Sequence, residues 1–244
     1  MCFPSKKQNR NFSDDAPVPL RNGPARKSND SPITAAATSS KASPRIAIII
    51  YTLGGHIAKM AESVKAGVAE AGGHAEIFQV PETLSQEILT LMRAPPRPDY
   101  PIMTVETLPK FDGYLLGVPT RFGNMPNQWK TFWDSTGGLW TSGALSGKFA
   151  GVFVSTSTVS GGQEMTIASM MSTFVHHGIN FVPLGYKHAF PQQSDVDEVH
   201  GGSPWGAGTI AAPDNQRQPS DLELDVAKKQ GIAFHNVLSR YEFD

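Results

Sequence analysis

"RIAIIIYTLGGHIAKMAESVKAG", residues 45–67, decides the fold. From Ile46 to Tyr51 it is an unbroken, isoleucine-rich run, as a strand covered on both faces requires. The run stops at Thr52-Leu53-Gly54-Gly55-His56, and from His56 onward apolar residues recur at helical spacing to about Ala71. Two adjacent glycines permit positive φ and close approach of the backbone. The first-turn N–H groups of the following helix then point at one small volume of positive partial charge. Such a loop is an anion cradle suited to a mononucleotide phosphate, with the Thr52 hydroxyl as an additional donor. A tight turn with nothing bound would satisfy the same residues.

The same alternation continues to the C-terminus. Strand patterns fall at 46–51, 75–80, 112–118, 149–155 and 179–183, and helical patterns at 56–71, 84–93, 126–135, 163–177 and 221–240. Continuous Ile/Val/Leu runs joined by helices imply right-handed parallel crossovers. Five such strands predict a doubly wound parallel sheet of order 2-1-3-4-5. In that architecture ligands lie beyond the carboxyl ends of the strands, which directs attention to residues 52–57, 119–124 and 155–162.

Residues 1–44 differ from the body. They are rich in Pro, Ser, Asn and Ala, lack apolar periodicity, and hold seven Lys/Arg against three Asp, a local charge of +4 that leaves −5 on residues 45–244. Such a segment buries too little surface to offset its ordering entropy, so a disordered basic tail is expected ahead of one domain spanning 45–244. Its start, Cys2-Phe3-Pro4-Ser5-Lys6-Lys7, sets one acylation site beside a basic patch, the two-signal arrangement that holds a protein at the plasma membrane. A solvent-exposed thiol on a solvated tail is the alternative. The first twenty residues, with Asp14, Asp15 and three prolines, do not form a secretory signal. One cysteine in 244 residues points to a reducing, cytoplasmic setting, and a net charge of −1 carries no hint of a nucleic-acid partner.

Missing residues exclude the competing phosphate motifs. A Walker loop needs G-x-x-x-x-G-K-[ST], yet no lysine follows the first strand until Lys59, inside the helix, and G-x-G-x-x-G is absent there too. A receiver domain needs acidic residues where Thr52 and Gly117-Val118-Pro119-Thr120 stand. Phosphate held without metal or lysine is a flavodoxin-like habit, with FMN the usual occupant. Pro119-Thr120-Arg121-Phe122-Gly123-Asn124 offers a rigid turn, backbone donors and a guanidinium for a flat heterocycle, and the segment from Ser155 to Glu164 supplies hydroxyls and small residues opposite it. No metal site is expected: His176 and His177 point about 100° apart on a helix, and the one cysteine is distant. Trp129, Phe132 and Trp133 form a helical stripe suited to a core or a subunit contact.

The segments "GGHI", "PTRFGNM", "GGLWTSGALSGKFAGVF", "GGQE", "HHGI", "VHGGSPWGAGTIA" and "RQPS", in this order between residues 45 and 240, resemble the WrbA family of FMN-dependent NAD(P)H:quinone oxidoreductases, particularly its fungal members. The resemblance implies a flavodoxin-like homotetramer, a dimer of dimers, that passes two electrons from NADH or NADPH through FMN to a quinone and protects against oxidative stress. Position by position, it places FMN phosphate contacts at Thr52, Leu53, Gly54, Gly55, His56 and Ile57. Ring contacts fall at Thr120, Arg121, Phe122, Ser155, Thr156, Ser157, Thr158, Val159, Ser160 and Gly161. His176 corresponds to a residue reaching the flavin of a neighbouring subunit, and Trp140 to the aromatic that roofs the substrate. Arg121 would stabilise negative charge on the reduced flavin or hydroquinone.

Two departures from the family pattern stand out. Gly54 replaces a common tyrosine, and Ser157 and Ser160 replace glycines, at a cost of roughly 1 kcal/mol each if those positions need positive φ. They motivate an alternative, a weakly active or non-catalytic flavodoxin-like protein acting as a membrane-associated scaffold. A one-electron carrier is a weaker alternative, because such carriers are usually acidic monomers.

Overall fold

The computed structural model describes residues 42–243. The expectations for the basic tail and for Cys2 therefore lie outside the described residues. Strands β1 (Arg45–Ile50), β2 (His74–Gln79), β3 (Gly113–Pro119) and β4 (Phe149–Thr156) are each followed by helix: α1 (His56–Glu70), α2 (Gln86–Leu91), α3 (Asn127–Asp134) with α4 (Gly137–Ser142), and α5 (Gln163–His177). The strands run parallel in the order β2-β1-β3-β4, with β5 (Asn180–Phe181) beyond β4, as the apolar runs predict.

The fifth position differs from expectation. Instead of one strand over 179–183, two short pieces share the outer edge of β4: β5 (Asn180–Phe181) pairs with Phe149 and Ala150, and β6 (Gly208–Ile210) pairs with Val154 to Thr156. Between them the chain leaves the sheet through an excursion carrying the short helix α6 (Phe190–Gln193). Pro183 has no N–H to continue a ladder, which is one reason β5 ends where it does.

Period-two alternation along β1 divides the core. Ile46, Ile48 and Ile50 face α1 and the C-terminal helix α7 (Asp221–Leu238); Ala47, Ile49 and Tyr51 face α3 and α5. Trp129, Phe132 and Trp133 are 0–5% exposed in that second layer, so the aromatic stripe is core. On the first face α1 and α7 meet backbone to backbone: a Cβ at Gly67 would lie 1.9 Å from the Lys228 carbonyl oxygen, and one at Gly231 2.1 Å from that of Val64. No helix among the described residues is long and apolar enough to cross a membrane.

Candidate functional site

At the end of β1 the Thr52 hydroxyl accepts the Gly55 N–H at 3.1 Å, closing the loop on itself. Gly55 takes φ 87°, a left-handed conformation that glycine alone adopts without strain, and begins α1 with no side-chain cap. The N–H groups of the first turn of this 15-residue helix are therefore presented by backbone geometry alone. The side chains of His56 and Ile57 are buried, 3% and 1% exposed. His56 Nε2 donates to the Arg217 carbonyl at 2.7 Å; since a carbonyl only accepts, that nitrogen carries the proton.

Thr52, Leu53, Gly54, His56 and Ile57 line a cavity of about 270 Å³, and the loops ending β3 and β4 add Thr120, Arg121, Ser155, Thr156 and Ser157. Ten of the residues singled out from sequence thus meet in one place. The two far loops are laced together: Thr120 N–H donates to the Ser155 carbonyl at 2.9 Å, and the Thr120 and Thr166 hydroxyls lie 2.5 Å apart. Arg121 is half-buried and donates through Nη1 to the Thr120 carbonyl at 2.8 Å. Its charge lies in the field around Tyr51, whose hydroxyl burial pushes well above its ordinary value.

The remaining singled-out residues stand outside this cavity. Phe122 is fully exposed at φ 55°; with Gly123 at φ 73° and reciprocal Arg121–Asn124 backbone bonds of 2.7 and 3.0 Å, it forms the tip of a tight hairpin turn. Thr158, Val159, Ser160 and Gly161 make the turn before α5, and Val159 and Ser160 open instead on a neighbouring depression shared with Gln163 and His200. Of the two serines that replace family glycines, Ser160 adopts φ 56° whereas Ser157 is not among the positive-φ residues. Only Ser160 carries the expected backbone strain.

Trp140 on α4 and His176 near the end of α5 are exposed and do not line the cavity. His176 lies thirteen residues beyond Gln163, about 20 Å along the helix axis. Its neighbour His177 turns inward, with Nε2 2.9 Å from the Thr136 hydroxyl; burial and the adjacent His176 charge hold its pKa below the ordinary histidine value. Within one chain, neither Trp140 nor His176 reaches the Thr52–Ile57 loop.

Sequence reasoning missed two contributors. Met92, Arg93 and Ala94, after α2, form one wall. Ala211 and Asn215, after β6, form another. A Cβ on Gly54 would lie 2.2 Å from Asn215 Nδ2, so the carboxamide occupies the volume a larger side chain at 54 would need. Buried Glu223 holds this second wall. Its Oε1 accepts the Gly201 and Ile210 N–H groups at 2.9 and 3.1 Å, and its Oε2 the Thr209 hydroxyl, Arg217 Nη1 and Ser220 N–H at 2.8, 2.9 and 2.9 Å. The Ser-x-x-Glu capping box at 220–223 was a readable sign of the helix start, but not of these extra partners.

A cradle of amides and hydroxyls without a lysine suits a phosphate ester, and Gly55 at φ 87° gives the loop its turn into α1. Among the described residues no group of three or more His, Cys, Asp or Glu gathers as for a metal ion.

Sheet order and strand-end cavity together define a flavodoxin-like α/β protein. The fold is shared with a crystal structure of a flavodoxin, WrbA-like protein from Agrobacterium tumefaciens (TM-score 0.56, 20% identity, 81% of this chain and 98% of that one). The chain belongs to the NADPH-dependent FMN reductase family, whose profile matches residues 44–190. It is 58% identical to protoplast secreted protein 2 of Saccharomyces cerevisiae, over 81% of this chain and 100% of that relative. It is also 57% identical to the NAD(P)H quinone oxidoreductase PST3 of Candida albicans, over 81% and 99% respectively.

Proposed function

We propose that this chain is an FMN-dependent NAD(P)H:quinone oxidoreductase, more narrowly of the WrbA type, that reduces quinones by two electrons. The observation that carries this is the uncapped start of α1, whose amides converge on the same cavity as Thr120, Arg121, Ser155 and Thr156. Family membership and 57% identity to a relative named as a quinone oxidoreductase support it. FMN, when bound, supplies the redox chemistry.

The chain's own residues bind and orient. The first-turn amides of α1 and the Thr52 hydroxyl hold the phosphate, while the Gly55-to-Thr52 bond at 3.1 Å keeps the loop in shape. Thr120 and the Ser155–Ser157 segment flank the flat ring, and Arg121 offers a positive field where charge develops. The His56 ring is held by the Arg217 carbonyl and Ile57 packs in the core, which steadies the loop that presents their N–H groups.

Phe122, Trp140, Val159, Met165 and Val175 are apolar and exposed, which supports assembly into a homotetramer in which His176 and Trp140 of one subunit complete the pocket of another. The single cysteine supports a cytoplasmic setting, with peripheral membrane contact through the basic tail. Protein purified yellow, bleached by NADPH and recoloured by benzoquinone agrees with this function. Colourless protein that refuses added FMN is the result that overturns it, and would favour the scaffold.

A further inference from the structure

Helix α2 ends in a Schellman motif: Ala94 N–H bonds to the Leu89 carbonyl at 3.0 Å and Arg93 N–H to that of Thr90 at 3.0 Å. The left-handed position of that motif usually holds glycine, but here Arg93 takes it at φ 54°. Among the described residues the exposed Arg93 guanidinium has no hydrogen bond or ion pair, and Arg93 lines the cofactor cavity. A cation held at a strained position with no partner in the protein is suited to a ligand anion.

Beside it lies a second cavity of about 360 Å³, which shares Thr52, Leu53 and Ala94 with the first. This size falls within the range of small-molecule sites. Leu89, Pro95 and Pro96 give it apolar walls for a flat base. Glu82, Gln86 and Arg97 give it polar groups, with Arg97 Nη2 already bonded to Gln79 Oε1 and the Val80 carbonyl at 2.8 and 2.9 Å. The Glu82 Oε1 is saturated by Tyr51, Thr83, Leu84 and Gln128, whereas its Oε2 has no partner among the described residues and is free to accept ribose hydroxyls.

We propose that this second cavity binds the adenosine half of the pyridine nucleotide, with Arg93, on the wall next to it, facing one of that half's phosphates. The site rests on the quinone reductase function above and adds where the reductant docks. An open cofactor cavity on one side of Ala94 and a nucleoside-sized one on the other lets a dinucleotide span the two.

The test uses FMN-loaded protein and two fragments without nicotinamide, 2′,5′-ADP and 5′-AMP, followed by calorimetry while flavin absorbance reports retention of FMN. The site predicts that 2′,5′-ADP binds without releasing flavin. Arg93→Gly relaxes the backbone and removes the cation together, so it raises the unfolding temperature while weakening fragment binding about tenfold or more. A merely structural role for Arg93 would not separate those two effects. Leu89→Trp, on a helix with no buried residues, fills the cavity and abolishes binding. Weakening confined to 2′,5′-ADP assigns Arg93 to the 2′-phosphate, and equal weakening of both fragments assigns it to the 5′-phosphate; either supports the site. Fragments that fail to bind the wild type or displace FMN, or variants that bind as the wild type does, overturn it. Protein that takes up no FMN at all contradicts the proposed function instead, so the two failures are distinguishable.

Discussion

Glu223→Gln removes one charge and almost no volume, and its effect can be worked from the five donors around the carboxylate. The Oε1 side keeps its acceptor and both backbone partners, Gly201 and Ile210. The Oε2 side becomes an NH₂ that faces three donors. The Thr209 hydroxyl can rotate, but the Ser220 N–H is left without an acceptor and Arg217 Nη1 keeps only the Ile210 carbonyl, at 2.7 Å. Removing one partner of a buried ion pair costs about 3–5 kcal/mol, and each orphaned buried donor about 1–3 kcal/mol, with partial relaxation. At 0% exposure Glu223 has no water to substitute, whereas Arg217 at 27% can recover some hydration. The expected loss is about 3 kcal/mol, or roughly 6–12 °C for a domain of this size. Because Arg217 also presents its carbonyl to His56, and Asn215 stands over Gly54, the same change should loosen 199–217 and weaken FMN binding. Thermal unfolding, flavin titration and amide exchange measure the three effects. A shift below about 2 °C, or unaltered exchange across 199–217, would refute this assignment of Glu223.

Ser160→Gly should stabilise the fold by about 0.5–1 kcal/mol, since relief of the φ 56° strain exceeds the added freedom of the unfolded chain; urea unfolding should show a higher midpoint at unchanged slope. His177 and His235 both have pKa values lowered in the fold, each mainly by burial, so the unfolded chain binds more protons. Their contribution to stability is complete above the unfolded value of about 6.5 and is lost as pH falls through the lower folded values. His177→Asn should flatten part of that acid-side decline in a pH series of unfolding midpoints, and a slope identical to wild type counts against it.

The order of the first four strands was legible because buried parallel strands must be continuously apolar, as "IAIII" and "FAGVFV" are. The fifth position was not, because β6 is a three-residue strand in "GAGTIA", too short and glycine-rich to leave a periodic signal. Helix α4 escaped notice for a similar reason: it begins with Gly137 and Gly138 and buries no residue. The strand-end rule found the walls drawn from β1, β3 and β4, since topology alone brings those loops together. Arg93 and Asn215 come from excursions whose paths depend on tertiary contacts. Their one sequence trace is the turn chemistry of Arg93-Ala94-Pro95-Pro96 and Pro213-Asp214-Asn215. The His56 ring also bonds the carbonyl of Arg217, a partner 161 residues away that the local sequence gives no sign of.

The most direct measurement of whether α1's opening amides hold a phosphate is the affinity of the purified apoprotein for FMN beside its affinity for riboflavin, which has the same ring and ribityl chain but no phosphate. An amide cradle without lysine predicts FMN bound at least tenfold more tightly, a preference that shrinks in Gly55→Ala, where a Cβ at φ 87° distorts the cradle. Equal affinity for the two flavins would contradict it.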